Sequence, residues 1–569
     1  MDNQRLILFV ALGLILLMIY QAWEQQTAPP PAPPAASAPT TAEPATPGAT
    51  AEAPKVPEAP RAPAPAERTP GIARAERIQV STDLFHASID TAGGDLRELR
   101  LRRHPITVDQ PDQPFPLLRD DAEIFIAQSG LIGRGFEYPT HRTQFSAAQP
   151  RYVLDEKSDE LRVPLSYQSK DGVRYTKTYV FRRDSYTVEV EYAVANGSRR
   201  EWSGFLYNQF QRSYADTSGG LTTIATFTGA AIYSPDKKYE KLSFDDMKSK
   251  PLKREVSGGW VAMLQHYFVG AWLPGKAERT ELYTDALEGN RYVAGYKQLE
   301  PTTVAAGQRG VLTTHLYAGP KEQRRLALLA CPKADLAKNE CPETEYVRAP
   351  GMELTVDYGM LTFISAPLFK LLAWIHSIVR NWGWSIVLLT LLVKLAFYPL
   401  SAMSYKSMAK MRKVAPKLES IKKTHGHDKQ ALNQAMMELY KTEKINPFGG
   451  CLPILIQIPV FIALYWVLLE SVEMRQAPWI LWINDLSTKD PYYVLPVIMG
   501  ASMYLQQQLS PQPPDPMQRK VFMLMPIIFT GMFIFFPAGL VLYWTVNNLL
   551  SIAQQWRINT VIAGKGKAA

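Results

Sequence analysis

The run WSIVLLTLLVKLAFYPL, residues 384–400, limits the possible folds of this chain more than any other stretch. It is apolar enough, with its flanks, to cross a bilayer, yet it carries Lys394. Thr390 precedes the lysine by one helical turn, so hydroxyl and ammonium share a helix face. A cation at membrane depth costs at least roughly 2.5 to 3.5 kcal/mol and usually faces a wet cavity or a partner. The competing reading puts Lys394 about six residues, roughly 9 Å, from a helix end near Leu400, from where it snorkels to the headgroups. The residues alone leave both readings open.

Five further apolar segments suit the same solvent: residues 6–23, 448–469, 492–509, 521–536 and 538–556. Only Arg5 stands before the first, and no small-residue cleavage site follows it in YQAWEQQ, which favours an uncleaved anchor over a secretory signal. The last two are joined by Pro537 in a tight hairpin. Six spans put both chain ends on one side, and lysine identifies that side. The chain carries 62 Lys and Arg against 53 Asp and Glu, and the excess gathers in residues 401–446, where ten basic residues face four acidic ones. By the positive-inside rule this loop is cytoplasmic, the acidic, Trp-containing loop 470–490 is outside, and Arg519, Lys520, Arg557, Lys565 and Lys567 are inside. The same clustering beside a span points to a membrane-side surface rather than a nucleic-acid groove.

The basic loop has helical order. Met411, Val414, Leu418 and Ile421 form one stripe, and Leu432, Ala435, Met436, Leu439 and Tyr440 form a second. Gly426 and the candidate cap Asp428 lie between them, giving a helical hairpin. Its contact candidates are Lys410, Arg412, Lys413, Lys417, Met436 and Met437; the methionines either dock apolar segments or close the contact between the two helices. Ahead of the first core span, Ile364, Leu368, Leu371, Leu372, Ile375 and Val379 share a face, with Lys370, His376 and Ser377 away from it. That pattern predicts a helix lying along the membrane surface.

Between the anchor and these helices the chain changes character twice. Residues 24–75 are mostly Ala, Pro, Thr and Glu, which cannot bury a core and form a disordered spacer. From about Ile78 to Ala318 the period changes to two: Tyr186, Val188, Val190, Tyr192 and Val194 against Thr187, Glu189, Glu191 and Ala193 mark a half-buried strand. YTKTYVF before it completes a hairpin, and Asn196-Gly197, Gly93-Gly94, Asp171-Gly172 and Gly219-Gly220 supply turns. The expectation is a large antiparallel β domain of two packed sheets on the exported side. Its histidines, His86, His104, His141, His266 and His315, are scattered, and no metal cluster stands out. Cys331 and Cys341 close a short loop at its end and are predicted to pair in an oxidising compartment.

Inside the spans, Gln457, Thr530, Thr545, Asn547 and Asn548 require partners or water. Singly, each suits helix-to-helix contact; together with Thr390 and Lys394 they suggest a polar cavity. No HExxH, GxSxG or GxxxxGK[ST] pattern occurs, so metalloprotease, serine hydrolase and nucleotide-driven pump are unsupported and no cofactor or enzyme activity is expected.

SYKSMAKMRKVAPKLE, KINPFGGCLPILIQIPVF, SVEMRQAPWILWINDLSTKDPYYVLP, DPMQRK and FPAGLVLYWTVNNL, with GWVAMLQHYFVGAW in the exported part, resemble the YidC family of bacterial membrane protein insertases in its Gram-negative form. The resemblance covers nearly the whole chain. It implies an α+β membrane protein of the bacterial inner membrane, with a periplasmic β-supersandwich, six transmembrane helices made of the anchor and a five-helix core, and a cytoplasmic hairpin. It further implies a hydrophilic groove open to cytoplasm and lipid and closed to the periplasm, using Lys394, Thr390, Gln457, Trp544, Thr545, Asn547 and Asn548. Implied partners are nascent membrane proteins, the Sec translocon, ribosomes and signal-recognition targeting factors. The divisions expected are 1–23 anchor, 24–75 linker, 76–345 β domain, 346–382 interfacial segment, 383–560 core with hairpin 401–446, and 561–569 tail. Two departures stand out. The family's groove cation is usually arginine and here is Lys394, which lacks the bidentate fork; a position often Tyr is here Trp544. The rival readings are a transporter or channel for a small anionic solute, and a carbohydrate-binding β domain with the spans as an anchor.

Overall fold

The computed structural model describes residues 75–121, 123–214, 226–275, 278–330, 349–425, 428–443, 452–509 and 516–565. The expected anchor, the linker up to residue 74, and Cys331 and Cys341 lie outside the described residues.

Strand Thr187–Asn196 shows how the period-two pattern becomes structure. Val188, Val190, Tyr192 and Val194 are buried while Glu189, Glu191 and Ala193 are less so. It pairs antiparallel with Val173–Arg182 on one side, the expected hairpin, and with Arg309–Pro320 on the other. Repeated across residues 77–320, this alternation gives two sheets of eleven and nine strands, antiparallel except where Gln79–Ser81 runs parallel to Arg151–Val153. Each turns one apolar face toward the other, and Trp202, Trp260, Trp272, Tyr175 and Tyr179 fill the space between. Gly93 is one turn where only glycine serves: its φ is +80°, and a Cβ there would meet the His141 carbonyl oxygen at 2.3 Å. The domain's histidines do separate jobs. His141 meets the Tyr207 hydroxyl at 2.7 Å, whereas His104 packs edge-on against Phe268.

The helices are α1 (Phe244–Ser249), α2 (Gln323–Ala330), α3 (Thr362–Val379), α4 (Trp382–Ala396), α5 (Tyr398–Thr424), α6 (Lys429–Thr442), α7 (Leu452–Glu470), α8 (Val494–Leu509), α9 (Pro516–Phe533) and α10 (Ala538–Lys565). In the core, α4, α5 and α8 pack on α10, α9 packs on α8, and α3 packs on α4 and α7. The apolar run 384–400 does not stay one helix. It bends by 65° between Ala396 and Tyr398, with Pro399 in the first turn of the next helix. Proline cannot continue the ladder of α4 but fits a first turn, so the break falls there, and Lys394 ends in the last turn of α4 rather than six residues from a terminus. On α3 the buried stripe is Ser365, Phe369, Leu372 and Ile375, rotated from the expected face, while Lys370 and Ser377 are exposed as expected.

By length and composition one described helical segment, Gly359–Val379, can cross a membrane alone, and α4 with residues 398–405 makes a second if the bent pair is one span. The hairpin is present: α5 and α6 pack together, and Asp428 caps α6 by accepting from the Gln430 and Ala431 amides at 2.8 and 3.1 Å.

The sandwich sits on the helices through the turn following α7. His266 donates to the Leu469 carbonyl at 2.9 Å, Lys321 lies 3.6 Å from Glu470, and Tyr358 shares a 3.2 Å bond with Ser471. The Gln323 amide donates to Glu473 at 3.1 Å, and Arg475 donates to the Ile106 carbonyl at 2.9 Å while its guanidinium covers the Phe115 and Phe268 rings.

Candidate functional site

The two faces of α4 differ sharply. Trp384, Leu388, Leu391, Leu392 and Leu395 are exposed, while Ile386, Leu389, Thr390 and Lys394 are buried. Lys394 therefore points into the bundle with the residue 8% exposed, and its Nζ donates to Ser551 Oγ of α10 at 2.7 Å. A snorkelling lysine would lie on the apolar exposed face, so the geometry selects the inward reading. The end of α4 suits a cation as well, because unpaired carbonyls there carry partial negative charge. No carboxylate pairs with Lys394 among the described residues.

The other expected groove residues divide by what their polar atoms bond. Thr390 and Thr545 turn their hydroxyls back onto their own helices, to the Ile386 and Val541 carbonyls at 2.7 and 2.8 Å. Asn548 donates across to Ser502 of α8 at 3.2 Å and ties two helices together. Trp544 sits edge-on to Phe461 of α7 with centroids 4.3 Å apart, and its indole N–H is buried without a partner among the described residues. Asn547 and Gln457 are half-buried. The structure thus brings Lys394 to α10 and Trp544 to α7, and it leaves Thr390, Thr545 and Asn548 with local duties.

Several residues absent from the sequence reading belong to this arrangement. Ser551 receives Lys394, and Ser502 receives Asn548. Gln555 donates to the Leu509 carbonyl at 2.8 Å, closing the far end of the α8 contact. A signal was available: Thr545, Asn548, Ser551 and Gln555 follow one another at helical spacing and are all buried, so one polar stripe runs down α10.

Toward the β domain the bundle is capped. Asn381 donates to the carbonyls of Pro478 and Trp479 at 3.3 and 3.2 Å, and Trp479 lies against Gly383 where no side chain fits. The Ala538 amide donates to Thr488 at 2.7 Å, and Gly539 to Leu486 at 2.9 Å, so loop and helix start are stitched together. Two cavities, of 180 and 630 Å³, lie at the joint with the sandwich. Of the hairpin candidates, Lys417 pairs with Glu443 at 2.6 Å, Met436 is half-buried and Met437 is exposed; the side chains of Lys410, Arg412 and Lys413 lie outside the described set. Among the described residues no group of His, Cys, Asp and Glu is placed to hold a metal ion.

A two-sheet sandwich seated on apolar helices, with one inward lysine on a polar stripe, defines a membrane-embedded protein carrying a large β domain. Family models extend that description. Residues 77–371 match the YidC periplasmic domain, and residues 374–565 match the 60Kd inner membrane protein. The membrane protein insertase YidC of Thioalkalivibrio sulfidiphilus is 47% identical over 579 residues, covering 100% of both chains. That of Alkalilimnicola ehrlichii is 50% identical over 573 residues, covering 100% of this chain and 98% of the relative. A crystal structure of an active YidC insertase aligns over 85% of this chain and 92% of its own at 20% identity, with a TM-score of 0.38. The chain belongs to the YidC family, whose members are inner-membrane proteins with a periplasmic domain.

Proposed function

We propose that this protein is a membrane protein insertase, acting on newly made inner-membrane proteins and supplying no covalent chemistry of its own. The relatives of matching length carry that name. The observation that carries the mechanism is the inward Lys394, which pairs with no carboxylate among the described residues. A substrate tail with acidic residues meets this cation as it enters from the side opposite the β domain. At an effective dielectric of about 20, a pair about 4 Å apart is worth on the order of 4 kcal/mol before desolvation, which offsets much of the cost of carrying a carboxylate part-way. Trp544 and Phe461 guide the apolar segment sideways, and burial of its roughly 20 apolar residues in lipid drives completion.

In this reading the remaining expectations hold as parts of one proposal. The chain crosses the membrane six times, counting the anchor 1–23. Both termini and the hairpin are cytoplasmic, and the domain divisions are those given above. The polar stripe of α10, with Thr390, Gln457 and Asn547, wets a groove. The hairpin, through Lys410, Arg412, Lys413, Lys417 and the exposed Met437, meets ribosomes and targeting factors, and the core acts alone or beside the Sec translocon. What supports the hairpin's role is its charge and its amphipathic order.

The test uses purified full-length protein in liposomes with a single-span substrate bearing an acidic tail. Lys394→Glu is expected to reduce insertion more than tenfold, since attraction becomes repulsion, and Lys394→Arg to stay within about threefold. Undiminished insertion by Lys394→Glu rejects the charge mechanism.

A further inference from the structure

The groove cation is held by an oxygen that cannot neutralise it. Ser551 Oγ lies 2.7 Å from Lys394 Nζ, and its own proton goes to the Asn547 carbonyl at 2.7 Å, one turn back on α10. With that proton committed, the serine oxygen is left to accept from the ammonium. Two helices therefore meet at one atom: α4 through Lys394 and α10 through Ser551 itself. Ser551 is buried, as is Lys394.

We infer that Ser551 is a positioning residue for the groove cation: it fixes the Lys394 ammonium on the polar stripe of α10 while leaving its full charge, and its remaining donors, for an acidic substrate tail. A carboxylate at this position would hold the lysine more firmly and cancel the field the substrate senses. An apolar residue would leave the ammonium free to swing toward the lipid-facing side of the bend at Phe397. A neutral hydroxyl meets both requirements. The arrangement also suits lysine in particular, since a single compact ammonium is oriented by one acceptor, whereas a guanidinium spreads its donors over a planar fork. This inference rests on the insertase reading and names a residue that the reading does not require.

The experiment compares two substrates in liposomes with the full-length protein, alike except for aspartates or asparagines in the tail, and reads the ratio of acidic-tail to neutral-tail insertion rates. Because both rates come from the same variant, a loss of folded protein cancels in the ratio. Ser551→Ala is expected to lower the ratio about tenfold, the scale of a hydrogen bond to a charged group. Ser551→Asp should lower it at least as far by quenching the charge, and Ser551→Thr should restore it because the hydroxyl remains. On a Lys394→Gln background, Ser551→Ala should leave the ratio unmoved, since the serine acts through the lysine. An unchanged ratio in Ser551→Ala, an equal loss on both tails, or a further fall on the Lys394→Gln background overturns the assignment. If Lys394→Gln alone keeps the parent ratio, the charge mechanism itself fails; if it lowers the ratio while Ser551→Ala does not, only the serine's role fails.

Discussion

At Gly383 a single hydrogen atom decides whether the capped end of the bundle closes. A Cβ there would fall 2.2 Å from Trp479 Cδ1 and 2.3 Å from its Cγ, so Gly383→Ala must displace the indole. Alanine favours the helix by about 1 kcal/mol over glycine, yet overpacking of this kind typically costs about 1 to 3 kcal/mol. The net expectation is a lower thermal unfolding midpoint in detergent, with Gly383→Ala, Trp479→Ala partly recovering it; a midpoint equal to the parent's contradicts the close packing. Residue-scale features differ in how plainly they stand in a sequence, and the reason is energetic. Lys394 was legible because a cation in an apolar run is costly enough to demand a purpose. Trp544 was found through its family position, but its Phe461 partner is one of many apolar residues in α7, and nothing local marks it. Ser551 carries no such mark, because a serine in a span can satisfy itself on its own helix, as Thr390 and Thr545 do. Only its register with Thr545, Asn548 and Gln555 set it apart.

Elements were legible where periodicity and burial agree. The strand Thr187–Asn196 and its hairpin partner follow from alternation, and α6 begins where Asp428 caps it. The bend at Phe397 carried a visible mark in Pro399, but the apolar run continues through it, and hydropathy alone reads on across the break. The rotated face of α3 has another cause. Ser365 is buried because its hydroxyl donates to the Ala463 carbonyl at 3.2 Å, so contact with α7 rather than apolarity sets the face. The hairpin yields its own prediction. Asp428→Ala removes the acceptor for two amides at the start of α6 and should cost about 1 kcal/mol, fraying that helix. Lys417→Ala, which removes an exposed pair with Glu443, should cost far less. Amide exchange across α6 measures both. Removal of residues 414–440 with the spans kept should leave a stably folded protein with reduced insertion of ribosome-bound substrates; full insertion would show that the hairpin recruits nothing.

Across the whole molecule, the joint between sandwich and bundle is a titratable contact. Glu473, in the turn after α7, accepts from the Gln323 amide, yet burial, with the nearby Glu322 charge adding to it, pushes its carboxyl up to about 7 from an ordinary value of 4.5. A carboxyl that binds its proton more tightly in the docked state stabilises docking fully below about pH 4.5, and that contribution is lost as pH rises through about 7. His266 works against this window: burial pushes its imidazole down to about 4, so docking disfavours its proton and gains as pH rises toward and past the ordinary value of 6.5. Burial also lowers Lys321, but a lysine shifted downward favours docking at higher pH, the opposite sense. Spin labels on the sandwich and on α10 should accordingly report a narrower distance distribution at pH 6 than at pH 8. In Glu473→Gln, which keeps an acceptor for the Gln323 amide and carries no charge, the narrowing at pH 6 should shrink, because His266 and Lys321 favour docking at higher pH and Glu473 no longer opposes them. Arg475→Ala removes the bond to Ile106 and the cover over Phe115 and Phe268, and should broaden the distribution at every pH. Burial raises the Glu470 carboxyl in the same sense as Glu473, so a narrowing at pH 6 that persists undiminished in Glu473→Gln would reject Glu473 as the titrating contact.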